Sequence, residues 1–152
     1  MPDVSTPPGI ETGSWAIPVI SVSSAPGDHV ELERLLPMPR WKVYRSNTVR
    51  LAVHLLRALQ FVPIVVCDVN LFPATWQELL AQIGLFSEPP YLVVASRIAD
   101  DHLWAEALNL GAYDVLGKPF DITELTRSLS LAWLRTQCEH GIPKTQIIAA
   151  VA

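Results

Sequence analysis

Three polar side chains, Asp68, Ser96 and Lys118, each follow an apolar segment of the chain. If these segments are strands of one parallel sheet, their carboxyl ends lie at one edge, where ligands and chemistry sit in open α/β sheets. A carboxylate there can attack a phosphoryl group as a nucleophile and become an acyl phosphate. The ammonium and the hydroxyl can then donate hydrogen bonds to the phosphoryl oxygens. Together the three positions predict one phosphoryl-accepting site.

Each of the three residues also fits a purely structural role. Asp68 can end a strand or cap the next helix, Lys118 can be its ion-pair partner, and Ser96 can be a turn residue exposed to solvent. What favours a shared site is the order of the three along the chain, with Lys118 opening the segment Lys118-Pro119-Phe120.

The elements that must position these residues alternate along the chain. Residues 63–68 form an apolar run rich in β-branched side chains, typical of a strand covered on both faces. Alternating strands and helices predict an α/β domain, a doubly wound parallel sheet with helices on both faces. The predicted strands are 17–22, 41–45, 63–68, 91–95 and 112–116, and the predicted helices lie within 28–36, 47–59, 76–83, 100–110 and 121–137.

Capping residues set the helix ends. Asp28, Thr75 and Asp121 are each followed three positions later by Glu, which is the pattern of a capping box. Asp28 is therefore predicted to be the N-cap of the first helix. Gly111 is predicted to end the fourth helix in the left-handed region.

Composition restricts the class of protein. The 152 residues carry a net charge of −4 without a Lys/Arg cluster, which argues against nucleic-acid binding. No apolar run approaches the about 20 residues that span a bilayer, and residues 1–16 do not resemble a secretory signal. Cys67 and Cys138 lack metal-site spacing. We expect a reduced, cytoplasmic, soluble domain at 17–137 between tails at 1–16 and 138–152.

Residues 17–137 resemble the receiver domains of bacterial two-component response regulators. The resemblance depends on Asp68, Asn70, Ser96, the segment 111–114 and the segment 118–120. It implies a flavodoxin-like sheet of order 2-1-3-4-5 and a cis peptide before Pro119. It also implies a phosphorelay module that is not an enzyme. A histidine kinase would phosphorylate Asp68, and Ser96 and Lys118 would contact the phosphoryl group.

The sequence departs from this family at the end of the first strand. Receivers place two adjacent acids there to hold Mg²⁺ with the phosphoacceptor, whereas this chain has Ser23 and Ser24. Asp68 and the backbone carbonyl of Asn70 would be a poor cage for Mg²⁺. We therefore expect weak or no Mg²⁺ binding and a direct Asp68–Lys118 pair, with Asp28 assigned to capping rather than to the site.

The main interpretation is a degenerate receiver that acts through protein–protein contacts, with weak or absent phosphorylation of Asp68. A fully functional phosphoacceptor is the first alternative. A second is a phosphate-ligand-binding domain using the loop of Ser23, Ser24 and Gly27.

Partner contacts are predicted on the fourth and fifth helices, where family members dimerise or dock their outputs. Two apolar faces are predicted for the last helix. One is a core face of Ile122, Leu125, Leu129, Ala132 and Trp133, and the other is a stripe of Leu131, Leu134 and Cys138. Trp104, Tyr113, Leu131 and Leu134 are therefore candidate contacts with a signalling partner or a second copy. Segment 147–151 is an alternative cover for this stripe.

Overall fold

The computed structural model describes residues 16–139, which form a five-stranded parallel sheet of order β2-β1-β3-β4-β5. Strand order and fold class match the prediction. The strands are β1 (Ile17–Val22), β2 (Trp41–Ser46), β3 (Ile64–Asp68), β4 (Tyr91–Ser96) and β5 (Asp114–Gly117). The helices are α1 (Pro26–Leu35), α2 (Val49–Leu59), α3 (Trp76–Ile83), α4 (Asp101–Leu110) and α5 (Ile122–Glu139).

Strand β3 lies in the middle of the sheet, paired with β1 on one side and β4 on the other. All five of its side chains are buried. Alternate residues of β3 face two separate cores, because successive side chains of a strand point to opposite faces. Val65 and Cys67 pack under α2, α3 and α4. Ile64 and Val66 pack under α1 and α5.

Side-chain capping is confirmed for two of the three predicted capping boxes, those that begin with Thr75 and Asp121, and Thr48 also caps α2. Thr75 Oγ1 accepts from the backbone N–H of Glu78 at 3.2 Å, and Asp121 Oδ1 accepts from that of Glu124 at 3.0 Å. Asp100 caps α4 in the same way. Gly111 ends α4 with φ of 106°, in the left-handed region as predicted.

Two structural predictions were wrong near the ends of elements. The last strand is Asp114–Gly117 rather than 112–116. The N–H of Ala112 still donates to the carbonyl of Ala107 in α4, and the first hydrogen bond to β4 is made by the N–H of Tyr113, to the carbonyl of Leu92. Ile122, predicted to be in the core, is 46% exposed. It occupies the first turn of α5, where the helix has only begun to approach the sheet, and the buried face starts at Leu125.

Helix α5 continues to Glu139, two residues beyond the predicted domain end, and the predicted tails fall outside the described residues apart from positions 16, 138 and 139. Between residues 16 and 139, the structure contains no helix that is both long and apolar enough to cross a bilayer.

The left-handed conformation of Gly111 gives a direct stability prediction. An added Cβ would meet nothing within 4 Å, so only the backbone conformation opposes a side chain there. We expect Gly111→Ala to lower the free energy of unfolding by about 1 kcal/mol. Urea denaturation against Gly84→Ala checks this, because Gly84 ends α3 with φ of −62° and its added Cβ makes only ordinary contacts. Equal costs for the two variants would contradict the prediction.

Candidate functional site

Asp68 is the last residue of the central strand and is only 6% exposed. Hydrogen bonding between β3 and β4 fixes its position. Asp68 lies opposite Ala95 of β4, and the N–H of Val69 donates to the carbonyl of Ala95 at 3.0 Å. Oδ2 of Asp68 accepts from the backbone N–H of Asn70 at 3.3 Å. The carboxylate is therefore held at the carboxyl edge of the sheet by strand pairing and by its own loop.

Lys118 reaches the same edge from β5. Its backbone N–H donates to the carbonyl of Ser96 at 2.9 Å, and the peptide between Lys118 and Pro119 is cis, as the family resemblance implies. Nζ of Lys118 lies 2.7 Å from Oδ1 of Asp68. The contact is an ion pair without well-directed hydrogen-bond geometry at Oδ1. The direct pairing of Asp68 with Lys118 predicted from the sequence is thus present.

A second carboxylate completes this cluster, and it comes from α1. Nζ of Lys118 donates to Oδ2 of Asp28 at 2.9 Å, and the hydroxyl of Ser23 donates to the same oxygen at 2.6 Å. The assignment of Asp28 as N-cap was wrong. Ala25 is the N-cap, without a side-chain cap, and Pro26 occupies the first helical position. Asp28 consequently lies in the first turn of α1, facing the site.

Burial and ion pairing shift the pKa values of Asp28 and Lys118 in opposite directions. Burial would raise the pKa of Asp28, but hydrogen bonds from Ser23 and Lys118 outweigh it and hold this pKa below its ordinary value. Burial would lower the pKa of Lys118, but its contacts with Asp68 and Asp28 raise it instead. One ammonium thus forms ion pairs with two carboxylates. We call this cluster of Asp28, Asp68 and Lys118 the ion triad.

A buried histidine supports the end of β1. Nε2 of His29 lies 3.0 Å from the carbonyl of Ser23, and Nδ1 lies 2.8 Å from Oγ of Ser21. Because a carbonyl only accepts, Nε2 carries the hydrogen, and a neutral ring can then accept from the Ser21 hydroxyl. His29 therefore fixes the backbone of Ser23, which in turn positions Asp28. No pattern in the sequence indicates this role for His29.

The remaining predicted site residues are distributed around this cluster. Ser96 is buried at the end of β4, and its Oγ accepts from the backbone N–H of Ile98 at 3.0 Å, as in a turn. Ser24 is exposed, and Asn70 is exposed with its N–H directed to Asp68. The phosphoryl-accepting role of Asp68 and the contacting roles of Ser96 and Lys118 stay predictions.

The side chains present do not form a donor set for Mg²⁺. Residues 16–139 contain no cluster of three His, Cys, Asp or Glu side chains that could hold a metal ion. The two carboxylates that reach the site already share the ammonium of Lys118. The cavity between them measures about 10 Å³, about the room for one water molecule, whereas Mg²⁺ usually keeps several.

The predicted partner surface is partly exposed. Leu131 is 50% exposed and Cys138 is exposed, while Leu134 is half-buried. Trp104 and Tyr113 are also half-buried, each packing against one of the two cores. The rings of Tyr113 and Tyr91 are in contact, tilted by 53° with 5.0 Å between centroids. Their role as contacts with a partner stays a prediction.

Fold and site together define a class: a doubly wound domain of order 2-1-3-4-5 with an acid–lysine pair at the carboxyl edge of its sheet. No protein-family model matches the sequence, and no curated protein matches it. Comparison with solved structures identifies the fold more closely.

The structure is similar to the signal receiver domain of an HD domain-containing protein from Pseudomonas fluorescens Pf-5. The TM-score is 0.74 at 25% identity, covering 82% of this chain and 92% of that one. The receiver domain of a putative LuxO repressor protein from Vibrio parahaemolyticus gives a TM-score of 0.74 at 18% identity, covering 82% and 95%. A response regulator receiver domain protein from Clostridium thermocellum gives 0.72 at 14% identity, covering 80% and 98%.

The resemblance to response-regulator receiver domains is therefore confirmed, and the chain has the receiver fold. At these identities the last two comparisons concern the fold alone. Around Asp68, this chain places Ser23 and Ser24 after the first strand and the carboxylate of Asp28 from α1.

The lowered pKa of Asp28 predicts how stability depends on pH. Its folded pKa is below the ordinary 3.8, so its contribution is complete above that value and is lost as the pH falls through the folded pKa. We expect the free energy of unfolding of Asp28→Asn to fall less steeply with decreasing pH than that of the wild type. Urea denaturation from about pH 6 to pH 2 measures this slope.

Glu33→Gln is the matched control, because the pKa of Glu33 is also lowered, by its hydrogen bond from Arg45, but this pair is exposed. In about 1 M salt, where the screening length is about 3 Å, the effect of Glu33 should vanish and that of Asp28 should persist. An Asp28→Asn profile parallel to the wild type would show that the triad does not stabilise the fold.

Proposed function

We propose that this protein is a receiver-like signalling module, not an enzyme, in which an internal ammonium rather than a metal ion pairs with the carboxylates at the Asp68 site. Phosphorylation of Asp68 is weak or absent, and the module acts by contacts with signalling proteins. The observation that carries the proposal is the position of Lys118 Nζ, 2.7 Å from Asp68 and 2.9 Å from Asp28.

Charge explains why the triad disfavours phosphoryl transfer. Phosphoryl transfer is promoted by cations that neutralise charge on the transferring group. With two carboxylates and one ammonium, the triad has a net charge of −1 before any phosphoryl group arrives. Asp28 would then repel the incoming oxygens and compete with them for Lys118. A low affinity for Mg²⁺, part of the same proposal, would leave this repulsion uncompensated.

The alternative is a working phosphoacceptor. It is favoured by the presence of Asp68 and Lys118 at one edge and by Asp28, a second carboxylate at the site. In that case an oxygen of Asp68 attacks phosphorus, the bond from phosphorus to the donor group breaks, and the donor keeps the electron pair. The phosphate-binding loop is not proposed, because the Ser23 hydroxyl already donates to Asp28 and that carboxylate faces the helix end.

Partners and location follow from the same interpretation. The neighbours in structure include a putative two-component system response regulator/GGDEF domain protein, and the chain covers 50% of that protein. We propose signalling proteins as partners, a histidine kinase or a second copy among them, with contacts through α4 and α5. A cytoplasmic location is consistent with the free thiols of Cys67 and Cys138.

Intact mass after incubation with acetyl phosphate tests the main proposal. We expect no phosphoryl adduct on the wild type, or a trace that does not depend on Mg²⁺, because the triad offers no free cation to the phosphoryl group. Asp68→Asn is the blank, and circular dichroism must show that both proteins are folded. A stoichiometric adduct that needs both Mg²⁺ and Asp68 would establish the alternative.

Restoring acids at the end of β1 tests why Mg²⁺ should bind weakly. The hydroxyl of Ser23 lies 2.6 Å from Asp28, so Ser23→Asp would place carboxylates in contact and create a need for a cation. We expect the Ser23→Asp, Ser24→Asp double variant to melt at a higher temperature with Mg²⁺ than without it, and the wild type to be unaffected.

The Ser87→Asp, Ser130→Asp double variant, with Ser87 exposed after α3 and Ser130 half-buried on α5, adds the same two negative charges and is the control for charge alone. An equal thermal shift in the wild type would show that the present donors already bind Mg²⁺.

A further inference from the structure

The exposed face of α2 is basic, although the chain as a whole has a net charge of −4. Arg50, His54 and Arg57 are exposed and spaced four and three residues apart, so they follow one face of the helix. Helix α2 contains no acidic residue. Within residues 16–139, neither arginine has an ion-pair or hydrogen-bond partner. This face therefore has positive charge that the described fold does not neutralise.

A groove lies beside this face, between α2 and the end of α3. It has a volume of about 180 Å³ and is lined by Val53, Arg57, Gln82, Leu85 and Phe86. Val53 forms a buried floor, while Leu85 is 86% exposed at the rim. An apolar cavity of about 150 Å³ holds a benzene molecule, so the groove has room for one large apolar side chain.

The groove combines an apolar floor with polar groups at its edge. The guanidinium of Arg57 and the amide of Gln82 border it, and an unpaired guanidinium matches a carboxylate with two parallel hydrogen bonds. A ligand that fills the groove with a Leu or Phe side chain would thus need an acidic group close by. The exposed side chain of Leu85 beside the guanidinium of Arg57 has the character of an interaction surface, an apolar patch with a polar rim.

We propose that the groove of Val53, Arg57, Gln82, Leu85 and Phe86 docks an acidic amphipathic segment of a partner protein, which inserts an apolar side chain and pairs a carboxylate with Arg57. Charge complementarity selects this occupant. Anionic membranes are recognised by clusters of about four to eight Lys or Arg, more than α2 presents. Acidic helices that lay an apolar face in a groove require only a few anchors.

The groove is independent of the ion triad. Helices α2 and α3 run back from the carboxyl edge of the sheet, so their last turns, which carry Arg57 and Gln82, lie toward the opposite edge from Asp68. Docking here therefore does not require phosphorylation, and failure of the proposed function at Asp68 leaves this proposal intact.

Two synthetic peptides test the proposal on the full chain. Both have about 12 residues with a central Leu-Leu pair on one helical face, and they differ only in flanking Glu or Lys. We expect the acidic peptide to shift backbone amide signals of Arg57, Gln82, Leu85 and Phe86 in ¹⁵N-labelled protein, and the Lys peptide to shift none of them. Affinity for the acidic peptide should fall about tenfold in Arg57→Glu and also fall in Leu85→Ser.

Arg127→Glu is the matched control, since Arg127 is also exposed and lies on α5, on the other face of the sheet. It changes the net charge by the same amount and should leave the affinity unaltered. Equal binding of both peptides, no shifts at the groove, or an equal loss in both Arg variants would overturn the proposal. So would contacts of the groove with a second copy or with residues 147–151 in the free chain.

Discussion

The ion pair between one ammonium and two carboxylates is the constraint on which the rest of the site depends. The side chain of Lys118 is 11% exposed and that of Asp68 is 6% exposed, so both charged groups are largely removed from water. Desolvation of such groups costs several kcal/mol per ion unless other contacts offset it. Asp28, with Ser23 as its second donor, provides those contacts. The triad therefore holds together the ends of β3 and β5 and the first turn of α1.

The cation beside Asp68 and Asp28 is part of the chain itself. A bound metal ion can leave, whereas the ammonium is attached to the chain by the residue that follows β5. The backbone of Lys118 is itself fixed by its hydrogen bond to Ser96. His29 adds rigidity from the other side by holding the Ser23 carbonyl. Each charged group of the triad is thus held in place by contacts within the described fold.

Most of the fold was predictable from the sequence because its signals are local. Apolar runs such as 63–68 specify buried strands, and parallel strand ends must share an edge, so the Asp68–Lys118 pair followed from topology. Asp28 was misassigned because two local rules conflicted. The capping box placed it outside the helix, while Pro26 prefers the first helical position and places Asp28 in the first turn.

Other features could not be predicted from the sequence because they depend on how the helices pack on the sheet. The contact of His29 with Ser21 depends on how α1 rotates over β1, and the groove beside Arg57 depends on the spacing of α2 and α3. Neither follows from periodicity. The exposure of Ile122 likewise depends on the angle at which α5 approaches the sheet, which the helical pattern of Leu125 and Leu129 does not define.

The end of β1, beside the ion triad, and the start of α2 are linked by a short series of hydrogen bonds. The N–H of Ser23 donates to the Ser46 carbonyl at 3.0 Å, and the hydroxyl of Ser46 donates to the carbonyl of Thr48, the N-cap of α2, at 2.7 Å. Coupling between two sites requires an element with two discrete states that both sites bias. The series of hydrogen bonds ends at the first turn of α2, whereas Arg57 lies in the last turn of this helix. No such element joins the two sites within residues 16–139, so a partner that docks in the groove does not depend on a phosphoryl signal at Asp68.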